Sequence, residues 1–228
     1  MELIFIRHGQ PAWSVDGLSQ VNPELTPLGH EQAQRVAARL ATDGRGFAEI
    51  IVSPAIRAQQ TAAPLAELTG LVPVTIDNIT EIRMPDWTGK LEEEVQRIFA
   101  DSRSRSADEW WEGLGDGESF RGFHDRITKA VTDLLAERSV HPDPSGHPHL
   151  WEVETDPRRI AVVAHGGTNA VALGWLLGVE PTPWEWERFI LAHASIARIR
   201  AIPLAGRHVF SLRAFNDQEH LPIEMRSR

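Results

Sequence analysis

The chemistry-bearing side chains of this 228-residue chain sit directly after its apolar runs. Leu3-Ile-Phe-Ile6 leads into Arg7-His8-Gly9, and Ile50-Ile-Val52 leads into Ser53-Pro-Ala-Ile-Arg57. Ile160-Ala-Val-Val-Ala164 leads into His165-Gly166-Gly167. Taken singly, each is an ordinary loop histidine or a solvated arginine. Two arginines and two histidines on three such ends are a different matter. Arginine forks match the oxygens of a phosphate, and a helix N-terminus offers free N–H groups to the same anion. Glycine after each histidine lets backbone and ligand approach closely. The pattern specifies a phosphate site.

Bringing these groups to one point requires strands that end side by side. Residues 2–6 and 49–52 read as short buried strands, and 160–164 is the clearest strand of the chain. Thr26-Pro27 and Ser53-Pro54 each read as an N-cap followed by a first-turn proline, opening helices to about Leu40 and Thr69. Gly166-Gly167 opens another helix that ends near Gly178. Residues 72–76 form a strand weakened by Pro73, and 195–202 and 207–213 are closing strands. From Ser119 to Glu137 a long helix carries Phe120, Phe123, Ile127, Val131 and Leu134 on one stripe. His141 to Pro157 reads as an exposed loop, with His141, His147 and His149 solvated rather than metal-binding. Alternating strands and helices predict an α/β fold, a three-layer α/β/α sandwich around a mainly parallel central sheet. Ligands in such sheets bind beyond the strand carboxyl ends. Arg57, one turn inside its helix, leans back toward the strand end. With no repeat and no long linker, residues 1–228 are expected to form a single domain. An irregular cap at about residues 84–122 would cover the strand ends.

Composition narrows the function classes. Lys plus Arg is 23 against 32 Asp plus Glu, a formal charge of −9 without any basic run, so nucleic acid is not an expected partner. The chain has no cysteine, which excludes disulfides, thiolate metal sites and thiol nucleophiles. The first residues do not read as a signal peptide, and the longest near-apolar run, Ala170 to Val179, is too short to cross a bilayer. A cytoplasmic protein is expected. Its oligomeric state is left open, a homodimer being one possibility.

The motifs resemble a known family. Leu3-Ile-Phe-Ile-Arg-His-Gly9 with Trp13, Leu25-Thr-Pro-Leu-Gly-His-Glu-Gln-Ala33, Ser53-Pro-Ala-Ile-Arg-Ala-Gln-Gln-Thr61 and Ala164-His-Gly-Gly167 are similar, in order, to signatures of the phosphoglycerate-mutase-like histidine phosphatase superfamily. Glu81-Ile-Arg-Met-Pro-Asp-Trp-Thr-Gly89 resembles the segment that carries the family's acid, and Gly117-Glu118-Ser119 a motif of its phosphatase branch. The resemblance implies a metal-independent phosphomonoesterase without cofactor. His8 would be the nucleophile that forms a phosphohistidine. Arg7, Arg57 and His165 would hold the phosphoryl oxygens, with Ser14 and Gly166 beside the substrate. Glu81 would be the general acid and base, with Glu118 or Asp86 as the next candidates. The chain departs from the family pattern at Gln10, Pro11, Ser14, Pro85 and Thr88, which bear on pocket shape rather than on the catalytic groups.

Between Asp77 and Glu118 there are twelve acidic and five basic residues, and the stretch lacks the arginine-rich insertion associated with the mutases. An acidic cap disfavours a polyanionic intermediate. The expected reaction is therefore hydrolysis of a small phosphorylated metabolite. Phosphoglycerate-mutase-type phosphotransfer is the alternative, and an inactive phosphate-binding module comes third.

Overall fold

The computed structural model describes residues 1–147, 149–154 and 158–227. Its first strand, β1 (Glu2–Arg7), shows how the layers arise. Successive strand side chains point to opposite faces. Leu3 and Phe5 therefore join one buried cluster, and Ile4 and Ile6 join the other. The hairpin of β2 (Ser14–Val15) and β3 (Leu18–Ser19) follows. Then come α1 (Pro27–Ala41), β4 (Glu49–Val52), α2 (Ile56–Thr69) and β5 (Val74–Thr75). The next helices are α3 (Glu92–Ser102), α4 (Ala107–Trp111) and α5 (Phe120–Ala136). The chain continues through β6 (Val140–Pro142), β7 (Trp151–Val153), β8 (Arg159–Ala164), α6 (Gly166–Leu177) and α7 (Glu185–Arg188). It ends with β9 (Ile196–Leu204) and β10 (Arg207–Asp217).

Eight strands form one sheet in the order β5-β4-β8-β1-β9-β10-β7-β6. The first four are mutually parallel, and β9 to β6 extend the sheet by antiparallel pairs. Val36, Ala37 and Leu40 of α1 and Ala58, Ala62 and Leu65 of α2 cover Ile4, Ile6, Ile50 and Val52. Phe123, Ile127 and Val131 of α5, with Val171 and Leu173 of α6, cover Leu3, Phe5, Ile51 and Val162. The three-layer α/β/α architecture follows. Because β1, β4 and β8 run parallel, Arg7, Val52 and Ala164 end on the same edge.

Several local expectations need correction. Thr26 caps α1 as its sequence implies, accepting from the Gly29 N–H at 3.0 Å. Ser53 does not cap α2, whose N-cap is Ala55. The stretch from His141 is not a plain loop. Val140 and Trp151 are buried, and β6 pairs with β7 to finish the sheet; Pro148 and residues 155–157 lie outside the described residues. The strand expected over 72–76 shortens to Val74–Thr75. The segment before α5 is more regular than its composition suggested. Three glutamates at the start of α3 suit its positive end, and Ser106 with Glu109 forms a capping box on α4.

Candidate active site

His8 follows β1 and is almost wholly buried. Its Nδ1 lies 2.7 Å from the Gly9 carbonyl oxygen. A carbonyl only accepts, so Nδ1 carries the proton and Nε2 keeps its lone pair. Burial, then His165, Arg57 and Arg7, hold the ring well below the ordinary imidazole pKa, against a smaller opposing pull from the Gly9 bond. His8 is thus neutral near pH 7. Gly9 itself is obligatory, because a Cβ there would lie 2.5 Å from the Gly29 carbonyl oxygen at the start of α1.

His165 follows β8 and sits edge-on to His8, with ring centroids 5.2 Å apart. Arg57 Nη2 donates to its Nδ1 at 3.1 Å, so the proton of the neutral ring is on Nε2, 2.8 Å from Ser53 Oγ. Burial first, then Arg57, Arg7 and Arg126, lower its pKa well below the usual value. Arg57 is also buried, and the Trp13 ring stacks on it at 4.8 Å. Burial lowers the guanidinium to about 10, with Glu81 opposing and Arg7 assisting, so it stays cationic at neutral pH. Arg7 donates to the Leu191 carbonyl at 2.5 Å and to His193 Nε2 at 3.2 Å. Both guanidiniums act on the two histidines, lowering their pKa values, and two cations so close together favour an anion beside them.

Glu81 reaches the same place from the loop after β5. One carboxylate oxygen accepts from its neighbour, the Ile82 N–H, at 3.0 Å, and the other accepts from the Gly167 N–H of α6 at 2.9 Å. The loop is fixed from outside by Arg126 of α5. Its Nη1 donates to the carbonyls of Asn78 and Thr80, and its Nε and Nη2 form a fork on Glu118 at 2.8 and 2.6 Å. Of the other candidate acids, Glu118 is thus committed to Arg126, and exposed Asp86 accepts from the Thr88 N–H.

Residues 3–142 match the family model of the histidine phosphatase superfamily, branch 1. The chain belongs to that superfamily. It is 30% identical over 185 residues to a glucosyl-3-phosphoglycerate phosphatase of Mycolicibacterium vanbaalenii, covering 80% of this chain and 76% of the relative. It is 26% identical to the adenosylcobalamin/alpha-ribazole phosphatase of Escherichia coli, covering 78% and 80%. Among solved structures, a mycobacterial glucosyl-3-phosphoglycerate phosphatase with VO3 superposes with a TM-score of 0.68 at 26% identity, covering 94% of this chain and 98% of that one. This is an enzyme of the histidine phosphatase type, and its relatives are phosphatases of small phosphorylated metabolites.

In this histidine phosphatase Arg7, His8, Arg57, Glu81, His165 and Gly166 converge. Ser14 pairs with Ser19 in the β2–β3 hairpin, next to the Trp13 that stacks on Arg57. Sequence reasoning missed a supporting layer. Thr61 accepts from the Gly9 N–H at 3.0 Å, and Ser53 orients His165. His193 receives Arg7, and its own Nδ1 lies 2.9 Å from Ser227 Oγ, which also accepts from Gln32 Nε2 at 3.0 Å. Burial, with Arg7 adding to it, lowers His193 to about 3. Thr61 lies within a quoted motif, one turn after Arg57. His193 and Ser227 carry no local signal.

Proposed function

We propose that the protein is a phosphomonoester hydrolase that works through a phosphohistidine on His8. The supporting observation is that His8 is neutral, its Nδ1 fixed by Gly9, beside two guanidiniums and a carboxylate held at a helix N-terminus. In the first step His8 Nε2 attacks phosphorus and the ester P–O bond breaks, while Glu81 gives its proton to the departing alkoxide. In the second, Glu81 takes a proton from water, whose oxygen attacks phosphorus as the P–N bond breaks. Arg7 and Arg57 stabilise charge on the phosphoryl oxygens in both steps. His165 stands beside the phosphoryl group with them and holds Arg57, whose Nη2 donates to its Nδ1. Gly166, at the start of α6, lies beside Arg7. One domain carries all these groups, with the segment at about 84–122 as its cap, and its acidic composition supports hydrolysis over mutase-type transfer.

Glu81→Gln keeps the shape but neither gives nor takes a proton. An alkoxide needs a proton as it leaves, whereas an activated aryl oxide hardly does. With an aryl phosphate, Glu81→Gln should therefore still phosphorylate His8 and then stall at water attack. Rapid quench should show a burst and an acid-labile, base-stable phosphate on the protein. Equal slowing of alkyl and aryl esters without a phosphoenzyme would remove Glu81 from this role. With phosphoglycerate, phosphate release should exceed transfer between its two positions.

A further inference from the structure

A cavity of about 690 Å³ opens from Arg7, Glu81, Gly166 and Gly167 at the strand ends. Its outer wall is aromatic, built by Phe99, Trp110, Phe120, Trp184, Trp186 and Phe189. Trp110 stands edge-on to Trp184 at 6.2 Å and to Trp186 at 6.5 Å, and Trp186 lies 5.2 Å from Phe120. Rings arranged so present both faces and edges to a further flat ring.

Each charge on that wall already has an opposite or accepting neighbour. Arg105 donates to the carbonyls of Gly113 and Glu109. The Ser106 hydrogen bonds, and then the nearby Arg105, lower the pKa of the Glu109 carboxylate. Arg103 lies 3.7 Å from Glu187, so a second anion brought to Arg103 would meet that carboxylate as well. Glu118 is held by the Arg126 fork. The hydroxyl of Ser102 is spent on the Phe99 carbonyl. With its charges paired in this way, the wall adds little positive field beyond Arg7, and with Ser102 spent, Gln96 is the neutral polar side chain it offers a hydroxyl-rich ligand. A phosphate ester seated at Arg7 with its alcohol in this cavity would lie against the ring-lined wall.

We infer that the preferred substrate is a monophosphate ester whose alcohol is uncharged and carries a planar aromatic ring, seated against Trp110 and Trp184. This rests on the phosphomonoesterase reading above and narrows it to a substrate class. Phosphonates, whose C–P bond is not cleaved, test it by binding alone. Calorimetry on the whole protein compares propylphosphonate, 3-phenylpropylphosphonate and 2-carboxyethylphosphonate. The phenyl compound should bind at least tenfold tighter than propylphosphonate, and the carboxylate compound no tighter. Trp184→Ala should reduce the phenyl gain to less than twofold; Trp110→Ala, on the short helix α4, replaces it if that variant does not fold. A tighter carboxylate ligand, absence of a phenyl gain, or a gain that survives both tryptophan variants overturns the inference. Binding preferences as expected, without hydrolysis of 3-phenylpropyl phosphate, would instead refute the hydrolase reading and leave the ring site standing.

Discussion

Gly167→Ala separates the placement of Glu81 from the stability of the fold. A Cβ at position 167 would lie 2.5 Å from Glu81 Oε1, 3.2 Å from its Cδ and 3.3 Å from Oε2. Ordinary contact begins near 3.4 Å, so the carboxylate must retreat by about 3.4 − 2.5 = 0.9 Å. The Gly167 N–H bond to Oε2, now 2.9 Å, does not survive a displacement of that size. Hydrogen bonds to charged groups are worth about 1.5–3 kcal/mol, and misplacing a catalytic group by about 1 Å costs on the order of 100-fold. The colliding atom is the end of a flexible side chain, so the fold can yield cheaply. Alanine in the first turn of α6 also recovers about 0.5–1 kcal/mol of backbone entropy relative to glycine.

The expected outcome is a fall in kcat of roughly 100-fold for an alkyl phosphate, with a much smaller effect on His8 phosphorylation by an activated aryl phosphate. The melting temperature should move by no more than about 4 °C, because about 1 kcal/mol is worth 2–4 °C at this chain size. Gly174→Ala on the same helix is the control. Its added Cβ would meet nothing closer than Glu185 Oε2 at 3.7 Å, an ordinary contact away from the phosphate site. Steady-state kinetics on both ester types and a thermal melt suffice. If Gly167→Ala retains alkyl phosphatase activity within threefold of Gly174→Ala, the Glu81–Gly167 contact does not position the acid.

Three further perturbations follow from the same geometry. His8, His165 and His193 are neutral when folded, with pKa values below that of the unfolded chain, so the unfolded state binds more protons once the pH drops under about 6.5. Stability should be full above that pH and fall by about 1.4 kcal/mol per pH unit for each histidine below it, the window for His193 closing near pH 3; urea midpoints between pH 7 and 5 measure this, and a flat profile contradicts it. Arg126→Met strands Glu118, whose side chain is only 12% exposed beside an arginine at 11%. It should cost about 3–5 kcal/mol in denaturant unfolding, and adding Glu118→Met should restore part of that loss. Arg57→Lys keeps the charge but loses the fork to His165 and the stack on Trp13, so kcat/KM should fall by about 10- to 150-fold and inhibition by inorganic phosphate should weaken in parallel.

Where chemistry and periodicity coincide, the chain is legible. The unbroken apolar run Leu3-Ile-Phe-Ile6 predicts a strand buried on both faces, and the abrupt change to Arg7-His8-Gly9 marks its carboxyl end. The Ser106–Glu109 capping box that opens α4 went unread within the stretch expected to be an irregular cap. The β6–β7 hairpin was not legible. Each of its strands has three residues, too few for a period, and the prolines around them point to a loop. What fixes the hairpin is tertiary: Trp151 packs edge-on against Phe210 at 5.2 Å, a partner known only once β10 is in place.

The misread role of Ser53 shows why the supporting layer of the site escapes a local reading. Ser-Pro after a strand has the form of an N-cap, and nothing nearby competes for the hydroxyl. The competitor, His165, is 112 residues away and arrives only because β4 and β8 pair in parallel. Arg7, His193, Ser227 and Gln32 likewise form one chain of hydrogen bonds across β1, the loop before β9, the C-terminal segment and α1. A half-buried arginine and a buried neutral histidine are each costly without partners, so such contacts are compulsory once the fold forms. Their requirement is nonetheless only for a donor or acceptor at a point in space, which any of several residue types can meet from any element. The groups that meet phosphate must instead supply particular chemistry at particular strand ends, and that constraint leaves a motif in the sequence.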